Sequence, residues 1–442
     1  MRTTRHSIRT PLRAAAFAAA LACALPALAT NGMNMEGYGP ISTAMGGASQ
    51  AIDHGTAALA QNPATLALMG QGARLDVALG LLGPHIESSV GPFSAKSGGT
   101  SYVMPALGYV RRNGDIVYGL GVFAQGGMGT EYKADSFLAA GSGEPVRSEL
   151  GVGRVLLPLA YQVTPGLALG GTLDLMWAGL DMRFAAPGSD LVPLVTGGDG
   201  PLYAGLGALA GASWARIDFS DSSDFTGKAR AMGWAAKLGL VYKARPDLTL
   251  GASYQIQSRL NDMKTSSSGA TLSADGGIVI PGRITVEDFQ WPSMLAAGFG
   301  WQATPSLLVA ADVKRVNWSG VMKDFKFKFD NASGSVSFAI PQNWKDQTIF
   351  NVGVAYAVNG QLTLRGGVNL ADNPVPDATV NPLFPATVDK HYTVGLGYKF
   401  SPASEFNGSV TVASTNTVTN TNTGIEISHR QLNVQLMYTH RF

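Results

Sequence analysis

The residue types that could carry catalysis are present but are not arranged for it. The six histidines, His6, His54, His85, His391, His429 and His440, are scattered along 442 residues. None lies in the H-E-x-x-H spacing that sets two imidazoles and a general base on one helix face. No serine occupies a G-x-S-x-G turn. Gly205-Leu206-Gly207 does not continue into the third glycine of a dinucleotide loop. Cys23 is the sole cysteine, so neither a cysteine metal centre nor a disulfide can form within the chain. These absences argue against an enzyme, and no cofactor or metal is expected.

Composition narrows the class. Gly contributes 55 residues and only 14% are charged, whereas an ordinary soluble domain carries roughly a quarter charged residues. The 45% apolar fraction excludes a disordered chain. Lys plus Arg (32) nearly balances Asp plus Glu (30), so there is no basic field for nucleic acid.

The first 29 residues read as an export signal. Arg2, Arg5, Arg9 and Arg13 precede the apolar run Ala14 to Leu25, and Ala27-Leu28-Ala29 supplies a small-x-small cleavage pattern. A lipid-anchor reading through Cys23 is weaker, because Ala20-Leu21-Ala22 matches that signal poorly. Cleavage would remove four of the 32 basic residues and leave 28 against 30 acidic, with Cys23 gone.

Beyond the signal no stretch reaches the 18 or so apolar residues of a membrane helix. The remaining way to span a bilayer is a closed β-barrel, whose strands alternate outward apolar with inward polar residues. Tyr392, Val394, Leu396, Tyr398 and Phe400 alternate with His391, Thr393, Gly395, Gly397 and Lys399. Leu432, Val434, Leu436, Tyr438 and Phe442 share a parity opposite Gln431, Asn433, Gln435, Thr439 and Arg441. The polar partners are small, as a crowded lumen requires, and the aromatics at strand ends suit an interfacial girdle. A terminal Phe442 resembles the signal read by the barrel-assembly machinery of bacterial outer membranes.

Six tight turns join alternating segments, at Arg112–Asp115, Thr164–Gly166, Arg245–Asp247, Thr304–Ser306, Asn359–Gln361 and Ser401–Ala403. Two strands per turn plus two terminal strands predict a 14-stranded antiparallel transmembrane barrel over residues 71–442. Residues 185–226 and 265–285 read as long extracellular loops, the first with short helices within Leu202 to Trp214. Residues 30–70 do not alternate and are too small and too few for a core of their own. They are expected to form a plug, or hatch, in the lumen.

Gly46-Gly47-Ala48 followed by Asn62-Pro63-Ala64-Thr65-Leu66 resembles the hatch of the long-chain fatty acid transporter family of Gram-negative outer membranes, which includes toluene and xylene channels. The likeness continues through Gly127 to Tyr132, Val316 to Ser319, Trp344-Lys345-Asp346, Leu364 to Gly367 and Asp372 to Asp377. It covers essentially the whole mature chain.

The resemblance implies passive uptake of a hydrophobic small molecule across the outer membrane, favouring long-chain fatty acids, with aromatic hydrocarbons the alternative. A general porin or an outer-membrane enzyme fits less well. Capture in a loop groove would be followed by transfer to a lumen pocket, hatch rearrangement and sideways exit at a kinked third strand. Arg183 matches the family segment that meets a carboxylate head group, or it pairs with Asp181 or a lipid phosphate. The second cation falls on Lys326 or Lys323, either of which could instead touch lipopolysaccharide. Phe325, Phe327 and Phe329 would then face lipid. Pocket walls would come from Leu202, Leu206, Leu209, Trp214, Ile278, Val279, Ile280, Phe289 and Trp291. Gly126, Gly127 and Gly129 would weaken the third strand, while Asn62, Pro63 and Ala64 would shape the hatch. The Met-rich start, with Met33 and Met35, departs from the fatty acid transporter pattern and offers a flexible apolar surface that accommodates varied ligands.

Overall fold

The structure is a computed structural model that describes residues 31–223 and 227–442. The expected signal, residues 1–29 with Cys23, lies outside them. Strands β1 Gly72–Val90, β2 Phe93–Lys96, β3 Tyr102–Asn113, β4 Ile116–Tyr132, β5 Val146–Thr164 and β6 Leu167–Ala186 open the sheet. Then come β7 Val195–Asp199, β8 Ala215–Phe219, β9 Ala229–Arg245, β10 Leu248–Gln255, β11 Arg259–Leu260, β12 Met263–Lys264, β13 Ala270–Ala274 and β14 Ile278–Glu287. The rest are β15 Met294–Thr304, β16 Leu307–Val316, β17 Asp324–Asn331, β18 Gly334–Pro341, β19 Gln347–Ala357, β20 Leu362–Ala371, β21 Lys390–Lys399, β22 Ser404–Thr419 and β23 Glu426–Arg441.

The expected 14-stranded barrel is corrected by this inventory: among the described residues the antiparallel sheet contains 23 strands. The six tight turns form at their expected positions, but counting them registers only one end of the molecule. At the other end the expected long loops carry short strands besides the expected short helices, which form at Gly200–Gly205 and Leu206–Gly211. Within 185–226 lie β7 and β8, and 265–285 forms a hairpin of β13 and β14. The segment 306–329 is broken at the turn Trp318–Gly320 into β16 and β17. These pieces continue the ladder from β6 through β8, β13, β14, β17 and β18 to β7 as an upper tier. Polar, Gly-rich composition conceals such short strands because cross-strand contacts, and not local propensity, hold them.

The wall closes where β23 pairs with β1, from Arg74 opposite Arg441 to Ser89 opposite Glu426. Its outer face carries exposed Leu159, Leu238 and Val394, while Arg154, Asp174, Lys237 and Asn351 are buried inside. Closure pairs the ladder groups that an open edge would leave bare in hydrocarbon.

Residues 31–71 fill the lumen. A short helix Pro40–Thr43 and 3-10 turns Gly55–Ala60 and Pro63–Leu68 carry small side chains that are almost all buried. Wall glycines let this hatch sit against bare backbone. A Cβ at Gly251 would lie 1.7 Å from the Gln50 carbonyl oxygen, and one at Gly353 2.4 Å from that of Met45. Lumenal side chains then anchor it. Asp312 accepts from the Ser49 and Gln50 amides at 2.7 and 3.2 Å. Lys314 donates to the Gly47 carbonyl at 2.8 Å, and Arg74 pairs with Asp53 at 2.6 Å.

A cavity behind an unpaired strand edge

Strands β3 and β4 are paired only from Asn113 opposite Ile116 to Leu107 opposite Val122. Above that point β3 keeps its β1 partner as far as Tyr102, and β4 keeps its β5 partner as far as Tyr132. The two strands therefore part along Tyr102–Ala106 and Phe123–Thr130. Pro105 sits on the parted stretch, where its missing N–H suits a strand edge. A register shift between Ala124 and Gly126 bends β4, as a bulge does. Gly98 closes the upper end by donating to the Glu131 carbonyl at 2.7 Å. The result is a window in the wall.

The inner edge of the window belongs to the hatch. Asn34 bridges to Gly126, and the Gly127 amide donates to the Met33 carbonyl at 3.1 Å. A Cβ on Gly126 would meet that oxygen at 2.1 Å, so glycine is required here. Asn34 also accepts from the Trp291 indole N–H and the Gln125 amide, both at 2.9 Å. Tyr102 reaches over from β3, with its phenol oxygen 2.6 Å from where a Gly129 Cβ would lie.

Behind the window is a cavity of about 330 Å³. Met33 and Met35 of the hatch, Ile86 of β1, Met128 of β4 and Leu150 of β5 supply apolar walls, and Trp177 stands at the outer mouth. His391, His429 and Gln431 form a polar patch, with the carboxylates Glu36 and Glu149 also lining the space. Among the described residues, neither Lys nor Arg lines it. Glu36 is held by the Asn433 amide at 3.1 Å, and Glu149 pairs with Arg147.

The expected site residues are dispersed. Gly126, Gly127 and Gly129 line the cavity. Asn62 is fully buried and caps the turn Pro63–Leu68, its side-chain oxygen accepting from the Ala64 amide at 3.1 Å while its amide donates to the Gln50 and Leu240 carbonyls. Arg183 stands away from the cavity. It shares parity with outward Leu173, Leu175 and Trp177, and it engages Asp218 at 3.3 Å and Ser222 at 3.0 Å. Lys326 pairs with Asp288 at 3.2 Å and Lys323 is exposed. The head-group assignment of all three cations is therefore without geometric support.

The phenylalanines of β17 reverse their expected direction. Phe325, Phe327 and Phe329 are buried and stack inward, Phe327 on Phe338 at 5.1 Å and Phe325 on Phe384 at 5.4 Å. The upper tier needs a core of its own, which no lipid replaces. Leu202, Leu206, Leu209, Phe289 and Trp291 join this buried core, and Ile280 packs against it. Trp214 is half-buried, and Ile278 and Val279 are exposed. None of these nine lines the cavity, although Trp291 holds the hatch residue that does.

Sequence reasoning missed Tyr102, Trp177, His391 and His429. Alternation places His391 on the inward parity of its strand, but which inward residues line the cavity is decided by how Met33, Asn34 and Met35 sit against the wall.

Residues 14–439 match the family described as outer membrane protein transport protein (OMPP1/FadL/TodX). The toluene transporter TodX of P. putida is 34% identical, over 92% of this chain and 99% of that one, with a TM-score of 0.82. The toluene transporter TbuX of Ralstonia pickettii is 33% identical over the same shares, 92% and 99%, with a TM-score of 0.78. Alkane uptake protein A of Marinobacter nauticus is 24% identical over 245 residues, 49% of this chain and 52% of that protein. The chain spans about half or less of the length of the curated relatives it matches.

Proposed function

Because this chain belongs to the outer membrane protein transport protein family (OMPP1/FadL/TodX), we propose that it admits neutral hydrophobic molecules of about monoaromatic size and releases them sideways. The family carries hydrophobic compounds across the outer membrane, and its structural relatives here are transporters and channels. The observation that carries the narrower reading is the cavity's charge. A fatty acid carboxylate would enter a space lined by Glu36 and Glu149 without a Lys or Arg to meet it. A buried, unpaired carboxylate is strongly disfavoured. A neutral hydrocarbon meets methionine, leucine and tryptophan.

Size agrees. A dry cavity of about 150 Å³ holds benzene, and the space here is about 330 Å³. The window supports sideways release, since the hatch is anchored across the lumen below. Leaving into the bilayer also avoids re-exposing apolar surface to water, at about 0.8 kcal/mol per CH₂.

Uptake of labelled toluene and labelled oleate, by cells lacking their own hydrophobe transporters, tests this. Expression of this chain should raise toluene uptake and leave oleate uptake at background, and Arg183→Ala should not change the toluene rate. Oleate uptake that falls with Arg183→Ala would overturn the neutral-ligand reading. Uptake of neither, by protein folded in the outer membrane, would overturn transport of both classes.

A further inference from the structure

The cavity has one polar pole. His391 of β21 and His429 of β23 both line it, and both are buried, at 2% and 6% exposure. The Nδ1 of His429 lies 2.8 Å from the Pro385 carbonyl oxygen. A carbonyl only accepts, so Nδ1 carries the proton, and Nε2 presents a lone pair with no hydrogen. Among the described residues that Nε2 has no partner, nor does the Nδ1 of His391. Hatch anchoring does not use them: from the same two strands, Thr393 and Asn433 hold Gly46 and Glu36 instead.

Two unpaired imidazole nitrogens in apolar surroundings cost free energy unless a ligand answers them. A hydrocarbon has no hydrogen to offer the His429 lone pair. A carboxylate also lacks one and would lie beside Glu36. A neutral hydroxyl satisfies both conditions: its hydrogen goes to His429 Nε2, and its oxygen remains for His391. Resting on the neutral-hydrophobe reading above, we propose that His391 and His429 select hydrophobic ligands bearing one un-ionised hydroxyl, such as a phenol or an aromatic alcohol. The aromatic body lies among Met33, Met128 and Leu150, and the hydroxyl points away from the window.

The test is equilibrium dialysis of the purified full-length protein in detergent at neutral pH, with labelled p-cresol and labelled toluene. The readout is the ratio of their affinities, which is independent of the amount of folded protein. His429→Leu and His391→Leu should each lower the p-cresol-to-toluene ratio about tenfold. His429→Gln, whose amide oxygen accepts a hydrogen bond, should restore most of it. A ratio unchanged within twofold in both leucine variants overturns the proposal while leaving uptake of neutral hydrophobes intact. If the unmutated protein binds neither compound saturably, the broader reading fails instead.

Discussion

The peptide N–H of Gly127 donates to the carbonyl oxygen of Met33 at 3.1 Å, so the strand edge that β3 abandons is closed from inside by the hatch. One contact thus belongs to both the plug and the window.

Gly126→Val should break that link. Its Cβ would fall 2.1 Å from the Met33 oxygen, forcing Met33 away at a cost of about 1–3 kcal/mol in local strain. Single-channel recordings in a planar bilayer should show more frequent open events than the unmutated protein. An identical record would mean that Met33 does not seal the edge.

Gly151→Leu should block the route without disturbing the fold. Gly151 lines the mouth of the cavity, and a Cβ there meets nothing within 4 Å. The added side chain fills open space at the window. Toluene uptake should fall several-fold while the thermal midpoint stays put, and undiminished uptake would place the exit elsewhere.

Asp312→Ala should loosen the body of the hatch. It strands the Ser49 and Gln50 amides, now bonded at 2.7 and 3.2 Å, and a buried donor without a partner costs about 1–3 kcal/mol. Steady ion conductance should rise. Conductance equal to that of the parent would show that Asp312 is not a principal anchor.

The hatch should lose stability as pH falls below neutrality. Burial pushes the His54 imidazole down to about 4, against an unfolded value of roughly 6.5. Between those values the unfolded state binds a proton that the folded hatch refuses. Stability is therefore full above pH 6.5, and declines as pH drops toward 4, by about 2 kcal/mol at pH 5. Thermal unfolding followed from pH 7 to 5 should show this slope, and His54→Gln should make it shallower by the His54 share. Equal slopes in both proteins would remove His54 as its source.

Much of the architecture was legible because it rests on short-range rules. Period-two alternation sorts Val394 and Leu396 outward from Thr393 and Gly395, whatever the neighbouring strand. Turn chemistry at Asn113-Gly114 or Thr164-Pro165-Gly166 acts over four residues. Asn62 before Pro63 is legible as a cap for the same reason, and the contacts to Gln50 and Leu240 only add to it.

The upper tier and the cavity behind the window were not legible. Phe325, Phe327 and Phe329 alternate as lipid-facing residues would, yet β14 and β18 flank their strand and turn that face inward onto Phe338 and Phe384. Alternation reports that a strand has two faces and is silent on what covers each. Arg183 carries a charge that suits a head group, but its parity directs it out of the lumen toward Asp218.

The sequence by itself determined that the chain forms a closed antiparallel β wall with a small-residue plug, because backbone pairing and side-chain alternation are local demands. Only the tertiary structure decided where that wall parts and what lines the space behind it. Those depend on Met33 meeting Gly127 and on His391 lying near His429, pairs far apart in the chain that closure of the barrel brings together.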